Sequence, residues 1–301
     1  MTSLRAVVPW IVGLAILAVV LHRVDLDATG AALARADLGT YLTWVLLYSA
    51  LWLAIDSGVL AWLYGRADAG IGWCDIALER AATYPLMILS YHVASAALVA
   101  RLGRYPSRGA ARRTGALLAH YLCDLVALAG IAAVAAGFVE LPGARLLQPL
   151  LLVLAAGAAG TLIAGRLGRG WLAGRPVVDV LADLSLTTLL GTVAGRALWY
   201  ASFLAFVWQT GPLWGLSLPL AELAARMPIV LTVAALPIAP AGLGTTQAAM
   251  LALFAGLASP PDILAYALVY SGSLMGVRLP IGALALWLGR VRAASLGEAR
   301  T

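Results

Sequence analysis

The sequence is poor in the residues on which most soluble enzymes and secreted domains depend. Only 11% of its 301 residues are charged, lysine and asparagine are absent, and cysteine occurs only at Cys74 and Cys123. The two cysteines fit neither the spacing of a metal site nor a disulfide framework. There is no glycine-rich nucleotide loop, no His-Glu-x-x-His helix and no serine nucleophile elbow. We therefore expect no metal, no other cofactor and no soluble catalytic domain.

Apolar residues dominate instead. They make up 62% of the chain, the mean hydropathy is +0.94, and several apolar runs reach the roughly 20 residues that span a bilayer. The net charge of +6 is concentrated in a few connecting segments, which indicates membrane topology and contact with anionic lipid rather than nucleic-acid binding. The sequence predicts an all-α polytopic protein with one transmembrane domain over residues 1–301, in the cell (inner) membrane.

The arginines predict the orientation of the chain. Because the segment 101–113 carries five arginines and no acid, the positive-inside rule places it in the cytoplasm, together with both termini. The connections at 139–145, 211–217 and 258–262 carry few charges and are predicted to lie outside. Six full spans satisfy this arrangement, at about 6–21, 40–64, 114–138, 146–165, 191–210 and 263–289.

Two further apolar stretches, 75–100 and 218–257, must leave the membrane on the side they entered. Each is therefore predicted to be a re-entrant hairpin or a pair of short spans, and the two open toward opposite faces. This pattern indicates an inverted repeat, with pseudo-repeats 1–143 and 144–301 and a substrate site near mid-membrane. The alternative is a set of eight to ten unrelated spans whose spacing agrees by chance.

The second hairpin has the more distinctive sequence. Pro237 is expected to break a helix, and Thr245 or Thr246 to cap the helix that resumes. The free N–H groups at that helix start would suit an anionic headgroup, although an ordinary loop between two short spans fits as well. The predicted binding residues here are Gly242, Gly244, Thr245, Thr246 and Gln247.

The chain resembles the flippase-type transmembrane region of the lysylphosphatidylglycerol synthase family. The likeness lies in the run Pro237–Gln247, in the apolar helix that follows it, and at residues 259–261 and 265–270. Residues 117–128 are similar to that family's first repeat. The resemblance covers essentially the whole chain and does not include the family's soluble synthase domain. It implies translocation of a lipid or lipid-linked amphiphile between leaflets, with membrane lipids, anionic or isoprenoid, as partners.

Two departures from the family keep other functions open. The family has an acidic residue where Gln247 stands and an arginine near Ser271. A non-transporting scaffold for envelope-lipid synthesis is therefore an alternative, as is a membrane-embedded lipid transferase. The candidate protein partners are a second copy of the chain, in a homo-oligomer, and an envelope-synthesis enzyme.

Ionisable side chains at bilayer depth cost roughly 2.5–3.5 kcal/mol each on insertion scales and should be buried and paired. Arg278 is the leading candidate for headgroup binding, and a buried pair with Asp56 or another acid is its alternative role. Further candidate binding residues are Glu222, Arg226, Tyr91 and His92. The candidates for a proton relay or for buried pairs are Asp56, His120, Asp124 and Arg196.

Overall fold

A computed structural model describes residues 2–67, 71–105, 109–139, 147–167, 175–236 and 238–298. Across these ranges the chain is all-α and has no β-strand. The helices are α1 (Thr2–Arg23), α2 (Leu26–Arg35), α3 (Leu38–Ala67), α4 (Trp73–Ala82), α5 (Tyr91–Arg101), α6 (Ala110–Ala136), α7 (Leu147–Arg166), α8 (Pro176–Asp183), α9 (Leu186–Thr210), α10 (Leu220–Ala235), α11 (Thr245–Leu253) and α12 (Pro260–Glu298).

Four of these segments are long and apolar enough to cross a membrane, namely Leu38–Ala67, Ala110–Ala136, Leu186–Trp214 and Pro260–Arg292. They coincide with four of the six predicted spans and agree with an integral membrane protein. Helices α1 and α7 coincide with the other two, but their apolar parts are shorter, Val8–Arg23 and Leu152–Arg166. The full count of six spans stays a prediction.

Both stretches predicted as hairpins are broken helices. In the first hairpin, α4 and α5 are joined through the 3-10 turn Tyr84–Ile88, where Pro85 stands. In the second hairpin, α10 and α11 are joined through the 3-10 turn Pro240–Gly242. Pro237, at which we predicted the second break, lies outside the described residues.

The same order of elements occurs twice along the chain. Helices α1 to α6 run as a long helix, a short helix, a long helix, a broken pair and a long helix, and α7 to α12 repeat that order. The packing partners are exchanged between the halves: α4 packs on α12 and α10 packs on α6, while α2 packs on α12 and α8 on α6. Helices α3 and α9, which hold equivalent places in the two halves, pack directly against each other.

The contact between α3 and α9 is largely aromatic. Five buried residues of α3 recur every three to four positions, namely Tyr41, Val45, Tyr48, Trp52 and Asp56. They share one face of the helix because this spacing follows the helical period. Across the contact, the rings of Tyr48 and Phe206 stack at 4.7 Å, and those of Trp52 and Trp199 meet edge to face at 5.4 Å. These bulky side chains form the main core of the protein.

The turn of the second hairpin needs glycine where it meets α1. Gly244 has a φ of 78°, and a Cβ atom there would lie 2.5 Å from the carbonyl oxygen of Gly13 and 2.8 Å from the amide nitrogen of Leu17. Gly13 is equally close to the turn, because its own Cβ would lie 2.9 Å from that of Ala239. The two glycines let α1 press against the second hairpin.

We therefore expect Gly244→Ala to destabilise the protein more than Gly256→Ala. Gly256 has a similar φ of 80° but open space around it, so its substitution adds only the backbone cost of about 1 kcal/mol. At Gly244, overpacking against α1 should add about 2 kcal/mol. Thermal unfolding of both purified variants in detergent measures the difference, and equal losses of stability would contradict the close packing of α1.

Candidate functional site

A cavity of about 210 Å³ lies between the two hairpins. The first hairpin contributes Met87, Ser90 and Tyr91 to its wall, and the second contributes Ala239 and Ala241. Aromatic rings from α3, α9 and α12 form much of the remaining wall, namely Tyr48, Trp52, Trp199, Tyr200, Phe203 and Tyr270. Three charged side chains, Asp124, Arg196 and Arg278, also reach the cavity. We refer to this space as the hairpin cavity.

Two of these charges belong to a central ion network formed by Asp56, Arg80, Asp124 and Arg196. Asp56 accepts hydrogen bonds from Arg80 Nε at 2.7 Å and from Arg196 Nη1 at 2.9 Å, and Arg196 Nε donates to Asp124 Oδ1 at 2.5 Å. Asp56, Arg80 and Arg196 are almost fully buried. Because buried charges are tolerated only when paired, this network fixes the relative positions of α3, α4, α6 and α9.

Arg278 differs from the other two buried arginines of this region. Its guanidinium carbon lies 3.4 Å from the centroid of the Trp52 ring, and only 9% of the residue is exposed. In the described part of the chain no carboxylate pairs with it, and its Nε has no hydrogen-bond partner. The predicted alternative, a pair with Asp56, is wrong because Asp56 is bonded to Arg80 and Arg196.

The charges around the hairpin cavity therefore do not balance. Three guanidinium groups lie here, those of Arg80, Arg196 and Arg278, but the ion network contains only two carboxylates, those of Asp56 and Asp124. The surplus positive charge lies on Arg278, beside the cavity and over an aromatic ring. An unpaired buried charge is costly, so an anion held at this position would be strongly favoured.

The structure brings four of the sequence-predicted residues into the cavity wall: Arg278, Arg196, Asp124 and Tyr91. Asp56 lies behind them in the ion network. His120 is buried on α6, and its Nδ1 has no hydrogen-bond partner among the described residues. Its part in a proton relay stays a prediction.

Other predicted residues lie elsewhere. Arg226 bonds to Glu222 at 2.7 Å and also donates to the carbonyl of Leu253, so this pair holds the carboxyl end of α11 beside α10. His92 is exposed, and its Nδ1 lies 3.4 Å from the Tyr121 hydroxyl oxygen. None of these side chains lines the hairpin cavity.

The predicted binding turn lies behind the cavity wall. Gly242, Gly244, Thr245, Thr246 and Gln247 are all buried there, and the amino end of α11 is covered by α1 and α12. The predicted threonine cap of α11 is wrong, because the helix begins at Thr245 and Gly244 holds the capping position. The Gly244 N–H donates to Gln247 Oε1 at 2.8 Å. The glutamine amide also donates toward Ser271 Oγ at 3.3 Å. The five residues shape the turn, and the hairpin cavity meets it at Ala239 and Ala241 instead.

Sequence reasoning missed Arg80 and the aromatic wall. The signal for Arg80 was present, since it is a charge in a mostly apolar hairpin, and such residues need a buried partner. Trp52 and Trp199 carried no comparable signal, because tryptophan is common in membrane helices at interfacial depth. Only the packing of α3 on α9 brings their rings to one cavity.

We expect Asp56→Asn to destabilise the protein severely. Removing this carboxylate's charge leaves Arg80 and Arg196 buried without full compensation, which typically costs about 3–5 kcal/mol. Asp183→Asn is the control, because the Asp183 side chain is 54% exposed and its pair with Arg112 should contribute less than about 1 kcal/mol. The melting temperatures of the two variants in detergent test this expectation, and a comparable small loss in both would show that the network is not essential to folding.

Comparisons with known proteins do not assign this chain to a family. No protein-family model matches the chain, and no curated protein gives a significant match. The likeness to the lysylphosphatidylglycerol synthase transmembrane region therefore stays an expectation from sequence motifs, and the function of this chain has to follow from the hairpin cavity itself.

Proposed function

We propose that the protein translocates a lipid or lipid-linked amphiphile between the leaflets of the cell membrane. The anionic headgroup binds in the hairpin cavity at Arg278, and the acyl or isoprenoid tails stay in the surrounding lipid. The observation that carries this proposal is a nearly buried guanidinium that faces a cavity between two broken helices and has no acidic partner among the described residues.

The chemistry of Arg278 favours a phosphate or carboxylate ligand. A guanidinium offers several donors in one plane and binds such groups through two parallel hydrogen bonds. Stacking over Trp52 holds the plane of the group and leaves its edge available. The aromatic and aliphatic remainder of the wall suits the apolar part of a headgroup or its linker.

The repeated order of helices and the exchanged packing support an inverted repeat. Each hairpin rests on the last helix of the other half, α4 on α12 and α10 on α6. Rocking of one half against the other would therefore move both hairpins at once and alternate the exposure of the hairpin cavity. In this proposal the two termini face the cytoplasm and the hairpins open toward opposite faces.

We expect Arg278→Gln to reduce lipid translocation at least tenfold in proteoliposomes, because it removes the charge that binds the headgroup while keeping a similar volume. Arg66→Gln is the matched control: Arg66 also stacks on a tryptophan, with its guanidinium carbon 3.2 Å from the Trp62 centroid, but it is exposed and outside the hairpin cavity. The rate of headgroup transfer of fluorescent anionic, zwitterionic and isoprenoid lipids gives the measurement.

The same assay separates this function from its alternatives. Translocation no faster than in empty vesicles for every lipid class would overturn the proposal. Wild-type rates in Arg278→Gln would remove Arg278 from the mechanism. A scaffold would keep its function in that variant, and a transferase would instead turn over a lipid-linked substrate and depend on His120 or Asp124.

The proposed topology predicts that Arg104 and Ser217 face opposite sides of the membrane. Both are exposed, so a cysteine at either position should react with a membrane-impermeant maleimide when its side is accessible. The background is Cys74→Ser, because Cys74 is the exposed native thiol whereas Cys123 is buried. Labelling of Arg104→Cys and Ser217→Cys from the same side of sealed vesicles would contradict the inverted repeat.

A further inference from the structure

A second recess lies between the end of the first hairpin and the last helix. Arg101, Arg104, Leu286, Gly289 and Arg290 line it, and its volume is about 350 Å³. None of these residues belongs to the hairpin cavity. We call this recess the basic groove.

Among the described residues, the wall of the basic groove carries three guanidinium groups and no carboxylate. Arg101 uses its Nε for Glu79 at 2.5 Å, while its Nη2 lies 3.9 Å from the position of a Cβ atom on Gly289. The end of the Arg101 side chain therefore faces α12 across the groove. Arg104 and Arg290 are exposed, and no carboxylate of the described residues pairs with either. This arrangement favours an anion with several acceptor oxygens.

The surroundings of the basic groove fit the boundary between lipid and water. Leu286 forms its apolar side, and the adjacent Trp287 and Leu288 are 58% and 42% exposed on α12. Arg290 follows three residues after Trp287, so the surface changes from apolar to basic within one helical turn. Tryptophan and arginine in this order are typical of a membrane–water interface.

We propose that the basic groove binds the phosphate of an anionic phospholipid from the adjacent leaflet. Its arginines hold the phosphate, and its apolar side contacts the first carbons of the lipid. Basic pockets between membrane helices are known to bind anionic headgroups in this way. This site is separate from the hairpin cavity, because Arg290 lies twelve residues after Arg278, about 18 Å along α12. A lipid bound there would fasten the carboxyl end of α5 to α12.

The test uses the full chain in nanodiscs of phosphatidylcholine with or without phosphatidylglycerol, and native mass spectrometry counts the phosphatidylglycerol retained. We expect Arg104→Gln and Arg290→Gln each to reduce retention about fivefold, as expected for loss of one arginine near a charged lipid surface. Arg23→Gln is the control, since it removes the same charge from the exposed end of α1. It should leave retention unchanged.

A further variant closes the basic groove without altering its charge. Gly289→Leu places a side chain between α12 and Arg101, so it should also reduce phosphatidylglycerol retention. Retention equal to that of Arg23→Gln in all three groove variants would overturn the proposal. Displacement of the lipid by millimolar inorganic phosphate would also overturn it, because the groove would then bind a soluble anion. Neither outcome bears on translocation through the hairpin cavity.

Discussion

Asp56 has no exposed surface, yet its two oxygens accept hydrogen bonds from arginines on two different helices. Arg80 comes from the first hairpin and Arg196 from the second half of the chain, so this carboxylate joins parts that are far apart in sequence. The arrangement leaves each arginine little freedom, because a buried guanidinium without a carboxylate would be strongly disfavoured. The Asp56 carboxylate thus ties the first hairpin, and with it one wall of the hairpin cavity, to α3 and α9.

Asp56 and Asp124 pair with Arg80 and Arg196, and no described acid is left to pair with Arg278. Arg278 is held by the face of Trp52 rather than by an ion pair, and a ring contact of this kind compensates a charge only partly. The protein thus confines a positive charge beside a cavity lined by aromatic rings. The absence of an acid beside Arg278 among the described residues is the observation on which its proposed binding role rests.

The sequence was sufficient to predict the class of fold and the location of the two broken helices. Apolar runs of bilayer length, the arginine-rich segment 101–113 and the Pro-Gly stretch after α10 are local signals, and each acts within a few residues. The site was less predictable because its pairs join distant helices. Asp124 and His120 share a face of α6, but the acid bonds to Arg196 on α9. Similarly, Gly244 of the second turn indicated a ligand site, whereas it permits the close approach of α1.

The exchange of hairpins between the halves has a consequence for how the chain is assembled. Helix α4 packs on α12, which is synthesised after it, whereas α10 packs on α6, which is synthesised before it. Helix α10 can therefore meet α6 during synthesis, whereas α4 completes its packing only when α12 is inserted, although Arg80 can already pair with Asp56 on α3. Loss of α12 would uncover the face of α4 that packs on it and expose this helix of the first hairpin to membrane proteases.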